Sequence, residues 1–322
     1  MALVIDVERI RDARRHIDRA FLDTAVLVDA GLSAALGCRV LAKDETDNPI
    51  GSFKGRGTEL FAALELRSGE TVVCASAGNF GQGLARAAVR RGLGCIVYAA
   101  ETANPLKIEA MRRLGAEVRL SGADFDAAKA AARRDASAAG LRFVEDGAEA
   151  AIAEGAGTIG LELAAAHAFD VILVPLGNGA LLGGVGTAIR HAAPNVEIIG
   201  VVAEGAPAMK LSLEAGSVIE TERAATMADG IAVRVPVPAS LGPLRGCCDG
   251  VVAVSEAAIF EAMRLVHGHL GRVVEPSGAV GLAAVVADPA RFHGKTVATI
   301  LCGRNIADGL RQRLLAASGS SA

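Results

Sequence analysis

The sequence predicts an α/β protein built as two three-layer αβα units, each with a mostly parallel sheet. Two observations carry that reading. Short apolar runs alternate with Ala-rich stretches of helical length between residues 71 and 139, and the rhythm resumes at residue 171. The runs are continuously apolar rather than alternating, as expected of strands covered by helices on both faces.

In chain order, Thr71-Val72-Val73-Cys74-Ala75 reads as a strand, followed by a helix over 82–91. Cys95-Ile96-Val97-Tyr98-Ala99 is the next strand and 105–114 the next helix. Glu117-Val118-Arg119-Leu120 follows, then a long Ala/Lys/Arg helix over 124–139. Further strands are read at 171–175, 197–202, 250–254 and 296–301. The pattern places a smaller unit, 55–143, as an insertion in a larger one made of 1–54 and 144–318. The end of the chain, Ala-Ser-Gly-Ser-Ser-Ala from Ala317, is expected to fray, with 319–322 as its tail. A cleft between two such sheets, at the carboxyl ends of their strands, is the natural ligand site.

Composition narrows the function. The chain has 322 residues, 52% hydrophobic and 21% charged, with a formal net charge of −3. No basic stripe or aromatic–basic interleaving points to nucleic acid. The charged first turns, with Asp6, Glu8, Arg9, Arg11 and Asp12, do not read as a signal peptide. The apolar runs are short or broken by Gly, so no membrane span is expected. Cys38, Cys74, Cys95, Cys247, Cys248 and Cys302 lack metal-ligand spacing, and no metal site is expected. They read as buried small hydrophobes in a reducing cytoplasm.

Five segments carry chemistry. Gly51-Ser52-Phe53-Lys54-Gly55-Arg56-Gly57 sets one lysine behind an aromatic, among residues small enough for a planar group to approach the backbone. An amine that must condense with a carbonyl needs such a place; a solvated lysine is the alternative. Ser76-Ala77-Gly78-Asn79-Phe80-Gly81-Gln82-Gly83 follows a strand and opens a helix, so its N–H groups favour an anion, although Gly/Asn turns begin many helices. Gly177-Asn178-Gly179-Ala180-Leu181-Leu182-Gly183-Gly184 has the same placement and can cradle a phosphate. Its spacing is not that of the dinucleotide fingerprint. Leu301-Cys302-Gly303-Arg304-Asn305 offers a neutral thiol at a strand end, or a buried structural cysteine. Glu275-Pro276-Ser277-Gly278-Ala279-Val280-Gly281 is either a packed helix start or a carboxylate that orders the site.

Taken in this order, the segments resemble the fold-type II pyridoxal-phosphate enzymes, and within them the threonine/serine dehydratase and serine racemase family. The match runs from Lys43 to Asn305. It is supported by Lys43-Asp44-Glu45-Thr46, Pro105-Leu106-Lys107, Glu154-Gly155-Ala156-Gly157-Thr158 and Thr226-Met227-Ala228-Asp229-Gly230-Ile231-Ala232-Val233. The resemblance implies pyridoxal 5'-phosphate bound as a Schiff base on Lys54, in the cleft between the units. Phe53 would pack on the ring, Asn79 would meet the phenolic oxygen, and Cys302 would sit beside the pyridine nitrogen. Gly177, Asn178, Gly179, Ala180 and Leu181 would bind the phosphate. Ser76, Asn79 and Gln82 would hold the substrate carboxylate, with Ala77 and Phe80 beside them.

The implied reaction is α,β-elimination of water from a β-hydroxy amino acid, giving a 2-oxo acid and ammonia. Threonine, serine, phenylserine and 3-hydroxyaspartate are the candidate substrates. Racemisation, β-replacement and, from another class, nucleotide-dependent oxidoreduction are the alternatives. Ala77 stands where the racemases carry a serine able to transfer a proton, which argues against racemisation. Phe80 replaces a histidine, as either an apolar wall or a packing residue under the loop. Arg304 replaces a glycine, where it meets a second substrate carboxylate or solvent. Lys210 occupies a downstream acidic position of the divalent-cation site found near Glu204 in some members. A homodimer is the family expectation, and a cytoplasmic one is expected here; as a departure from the biosynthetic threonine dehydratases, no C-terminal regulatory domain is expected after Asn305.

Overall fold

The computed structural model describes residues 3–319. Its strands are β1 (Val26–Leu27), β2 (Arg39–Asp44), β3 (Thr71–Ala75), β4 (Gly94–Ala99) and β5 (Glu117–Leu120). They continue with β6 (Arg142–Phe143), β7 (Val171–Pro175), β8 (Glu197–Ala203), β9 (Gly250–Val254) and β10 (Thr296–Leu301). Two sheets result. One has the order β1-β2-β10-β7-β8-β9, the other β5-β4-β3-β6. Every pairing is parallel except β1 with β2. All four strands of the smaller sheet fall within residues 71–143, and all six of the larger sheet lie outside that stretch.

Helices cover both faces of each sheet, as parallel strands require. Val40, Ala42, Leu173, Ile199 and Val201 pack on one side of the larger sheet with the helices Glu256–Leu270 and Pro276–Ala287. Leu41, Ile172, Val174, Ile198 and Val202 pack on the other with Ala150–Ala166 and Ala180–Ala192. Val72, Cys74 and Val97 of the smaller sheet join a core with the helices Lys54–Glu65 and Asn79–Val89. Val73, Ile96 and Tyr98 face the helix Phe125–Ala139.

The helix Ala150–Ala166 is the spacer that sets the two binding segments relative to one another. A Cβ on Gly155 would come within 2.5 Å of the Arg56 carbonyl, and one on Gly184 within 1.9 Å of the Ala153 carbonyl. Glycine at both contacts lets the Lys54 helix and the Ala180 helix lie directly against this spacer.

The differences from the sequence reading have physical causes. The helix expected over 82–91 begins at Asn79, because Gly78 is the N-cap and 79–81 form the first turn. The two-residue strands β1 and β6 are too short to show a pattern. β2 carries Arg39, Lys43 and Asp44, charges that look solvated in sequence, yet Lys43 and Asp44 are buried. At the C-terminus the helix Asp308–Gly319 extends into the stretch expected to fray, and 320–322 lie outside the described residues.

Candidate active site

Both sheets have a topological break. In the smaller sheet the strand order reverses between β3 and β6, and in the larger between β10 and β7. Open α/β sheets bind ligands beyond the carboxyl ends of strands at such breaks. Residues 76–80 follow β3, Asp146 follows β6, residues 177–181 follow β7 and Cys302 follows β10. All of them line one cavity of about 380 Å³.

Lys54 is placed by its neighbours on both sides. Asn48 Oδ1 accepts the N–H groups of Ile50 and Ser52, shaping the turn before it. The Cys302 carbonyl then accepts the Ser52 hydroxyl and the Phe53 N–H, each at 3.1 Å, which stitches this turn to the end of β10. On the far side, Arg56 is fully buried and donates to Glu45, Glu162, Thr24 and Thr158. Gly55 has no room for a side chain, since a Cβ would meet the Phe21 ring at 2.0 Å. The Lys54 ammonium emerges into the cavity. It donates to Asp146 Oδ2 at 2.5 Å and lies 4.7 Å from the centre of the Phe53 ring.

Two helix N-termini open on the same space. Gly179, at φ +96°, caps Ala180–Ala192 with no side chain of its own to bond. The first N–H groups of a helix have no partner within it and favour an anion. Gly177 allows the 229–233 segment to pack close, as a Cβ there would stand 2.8 Å from the Gly230 carbonyl. At the other N-terminus, Ser76 Oγ accepts the N–H groups of Gly78 and Gly81, leaving its proton to donate.

A neutral thiol and a carboxyl that titrates near neutral pH complete the cavity wall. Burial pushes the Cys302 thiol well above its ordinary range, and nearby Glu275 adds to the rise, so it stays a neutral thiol. Burial and the charge of Asp229 raise the Glu275 carboxyl to about 7, against the pull of Lys107, Asn79 and the Asn305 N–H. Glu275 Oε1 accepts Asn79 Nδ2 at 2.8 Å, and Asn305 Nδ2 donates to Asn79 Oδ1 at 2.6 Å. Lys107 pairs with Asp229 at the cavity edge, and Arg234 with Asp126 at 2.7 Å nearby in sequence. Each pair joins a helix beside the smaller sheet to the 229–234 segment.

The family model described as pyridoxal-phosphate dependent enzyme matches residues 17–303. The chain belongs to this pyridoxal-phosphate-dependent enzyme family. It is 36% identical to an L-threonine ammonia-lyase of Thermotoga maritima over 97% of its length and 78% of the relative's. The crystal structure of a T.th. threonine deaminase superposes with a TM-score of 0.87 at 35% identity, covering 93% of this chain and 98% of that one. Maize serine racemase superposes with a TM-score of 0.89 at 27% identity, covering 98% of each. Family membership removes the nucleotide-dependent alternative.

The residues present fit pyridoxal phosphate. An amine, a helix N-terminus for the phosphate and a neutral thiol face one cavity of suitable size. Ser277 Oγ, on its wall, is buried with no hydrogen-bond partner among the described residues, as expected of a group that meets a ligand. Of the residues read from sequence, Phe53, Lys54, Ser76, Ala77, Asn79, Phe80, Gly177, Asn178, Gly179, Ala180, Leu181 and Cys302 line the cavity. Gln82 does not. It is buried on the helix Asn79–Val89, three residues beyond Asn79. Arg304 is also outside the lining; it is exposed and lies over Gly51. Phe80 both lines the cavity and packs in the smaller unit's core.

Asp146 is not legible in the sequence as a site residue. It is a lone carboxylate after a two-residue strand, in no motif. Lys107, Asp229 and Ser277 lie within stretches that carry the family resemblance, but nothing in those stretches distinguishes a lining residue from a packed one. Near the cation position, Glu204 is exposed and Lys210 pairs with Glu214. No group of three His, Cys, Asp or Glu among the described residues is placed to hold a metal ion.

Proposed function

We propose that this protein is a lyase of the L-threonine/L-serine ammonia-lyase type, removing water from a β-hydroxy amino acid to leave a 2-oxo acid and ammonia. The observation that carries the reading is the pairing of Lys54 with a neutral Cys302 thiol in one cavity closed by helix N-termini. The name and coverage of the Thermotoga relative support it.

When bound, pyridoxal phosphate supplies a carbonyl for the substrate amine and a ring that accepts electrons from Cα. Lys54 would hold it, with the N–H groups of residues 177–181 on the phosphate, Phe53 against the ring and Asn79 at the ring oxygen. Cys302, as a thiol, would offer the ring nitrogen only a weak neutral bond. That limits charge build-up on the ring and favours prompt loss of the β-hydroxyl. Lys54 would take the Cα proton as general base. The Ser76 hydroxyl and the N–H groups at the start of Asn79–Val89 would hold the substrate carboxylate. Phe53 and Phe80, both buried on the cavity wall, would keep water from the reacting carbon.

The lining also bears on the substrate. Lys54 and Lys107 each face a carboxylate partner, and Arg304 lies outside. No unpaired cation among the described lining residues waits for a second carboxylate, which favours threonine- or serine-like substrates over 3-hydroxyaspartate. Ala77 lines the cavity with a methyl group that cannot transfer a proton, which supports elimination over racemisation.

A cytoplasmic homodimer and the domain division at residues 55–143 belong to the same proposal. Six free cysteines suit a reducing compartment. Light scattering tests the dimer. The activity is tested by assaying 2-oxo acid and ammonia from L-threonine, L-serine, phenylserine and 3-hydroxyaspartate. Release from one of the first two supports the reading, and oxo acid from none of the four contradicts it.

A further inference from the structure

We propose that Glu275 and Asn305 are positioning residues that lock the side-chain amide of Asn79, aiming its second N–H into the cavity at the ring oxygen of the cofactor. This rests on the reading of the cavity as the pyridoxal-phosphate site.

The polarity of the chain of hydrogen bonds leaves one arrangement. The Ile50 carbonyl can only accept, and it accepts Asn305 Nδ2 at 2.8 Å. That fixes the Asn305 amide, whose Nδ2 also donates to Asn79 Oδ1 at 2.6 Å. At the other end, Glu275 Oε1 accepts Asn79 Nδ2 at 2.8 Å. Turning the Asn79 amide over would set its oxygen against the carboxylate and its NH₂ against that of Asn305. An asparagine carries two N–H donors, so one stays available at a residue that lines the cavity.

The surroundings hold the arrangement still. The Glu275 N–H donates to the Gly303 carbonyl at 3.0 Å, and the Asn305 backbone N–H lies at the Glu275 carboxylate. A Cβ on Gly303 would stand 2.5 Å from Glu275 Oε1 and 3.1 Å from Asn79 Nδ2. Glycine there leaves room for the contact. Asn79 follows a strand of the smaller sheet, whereas Glu275 and Asn305 belong to the larger, so the lock is made only when the two units meet.

The test is the dissociation constant of pyridoxal phosphate from the apo protein, measured by absorbance titration. Wild type is compared with Asn79→Ala, Glu275→Ala, Asn305→Asp and the two doubles that include Asn79→Ala. Asn305→Asp keeps the volume and replaces a donor with an acceptor. If both residues act through Asn79, each single change weakens binding about 10-fold, and the doubles are no weaker than Asn79→Ala alone. The visible maximum of the bound cofactor shifts the same way in every variant. Losses that multiply in the doubles, or wild-type affinity in Glu275→Ala and Asn305→Asp, overturn the proposal while leaving the cofactor site intact. Absence of binding by wild type overturns the site reading and this proposal with it. Apo melting curves verify folding, and if Glu275→Ala fails to fold, the Asn305→Asp pair decides.

Discussion

The Lys54 ammonium lies 2.5 Å from Asp146 Oδ2, inside the cavity and with both side chains largely shielded from solvent. Condensation with a carbonyl takes the Lys54 nitrogen out of this ion pair, so the contact must open first. Asp146→Asn replaces it with a weaker neutral contact. The variant should take up pyridoxal phosphate several-fold faster than wild type at neutral pH, measured by stopped-flow absorbance. Slower uptake would mean that Asp146 assists the condensation.

Ala77 concerns the outcome of the reaction rather than its start. A serine at that position would bring a hydroxyl able to carry a proton to the edge of the same cavity. Ala77→Ser is expected to release D-serine from L-serine alongside the oxo acid, detected by chiral chromatography, where wild type gives none. Oxo acid alone from the variant would remove this residue from the choice between elimination and racemisation.

Glu275 makes stability depend on pH. Its carboxyl rises from an ordinary 4.5 to about 7 in the fold, chiefly through burial. The folded chain therefore binds more protons than the unfolded chain between those values. The contribution is fully present below 4.5 and is lost as pH rises through 7, on the order of 3 kcal/mol in all. Glu275→Gln does not titrate, so the apo variant should gain on wild type between pH 5 and pH 8 in urea denaturation. A difference that stays constant with pH would show that Glu275 does not titrate in that window.

The buried cluster behind Lys54 has the opposite sign. Burial alone would raise Glu162, but Arg56 and Lys43 more than offset it and hold the carboxyl at about 2. Its contribution is present above 4.5 and lost as pH falls through 2. Replacing Arg56 by Met leaves the Glu45 and Glu162 carboxylates short of a partner, at a cost of about 3–5 kcal/mol. Denaturant unfolding of the apo protein at pH 7 measures it. A loss below about 1 kcal/mol would mean that Lys43 alone satisfies the cluster.

What is legible in the sequence follows from the same physics. Strands such as Val171–Pro175 and Thr296–Leu301 are apolar on both faces and end in polar or glycine turns, so their limits and the loops beyond them can be read directly. Those loops carry most of the cavity wall, which is why Lys54, Asn79 and Cys302 stand out. β2 does not, because Lys43 and Asp44 are buried by partners far away in the chain: Glu162 for one and Arg272 for the other. Asp146 is hidden for the same reason. Its meaning lies in the 92 residues that separate it from Lys54, and no local pattern records them. Gln82 lies three residues beyond Asn79 on the same helix, where it is buried and outside the cavity lining.

The visible spectrum of purified protein with pyridoxal phosphate, recorded for wild type and Lys54→Ala and followed by addition of L-threonine, bears most directly on the proposed chemistry. The expected result is an absorbance band from the lysine-bound cofactor in wild type, lost in the variant, with 2-oxo acid and ammonia released only by wild type. A wild type without the band, or a Lys54→Ala variant that releases oxo acid at the wild-type rate, would contradict it.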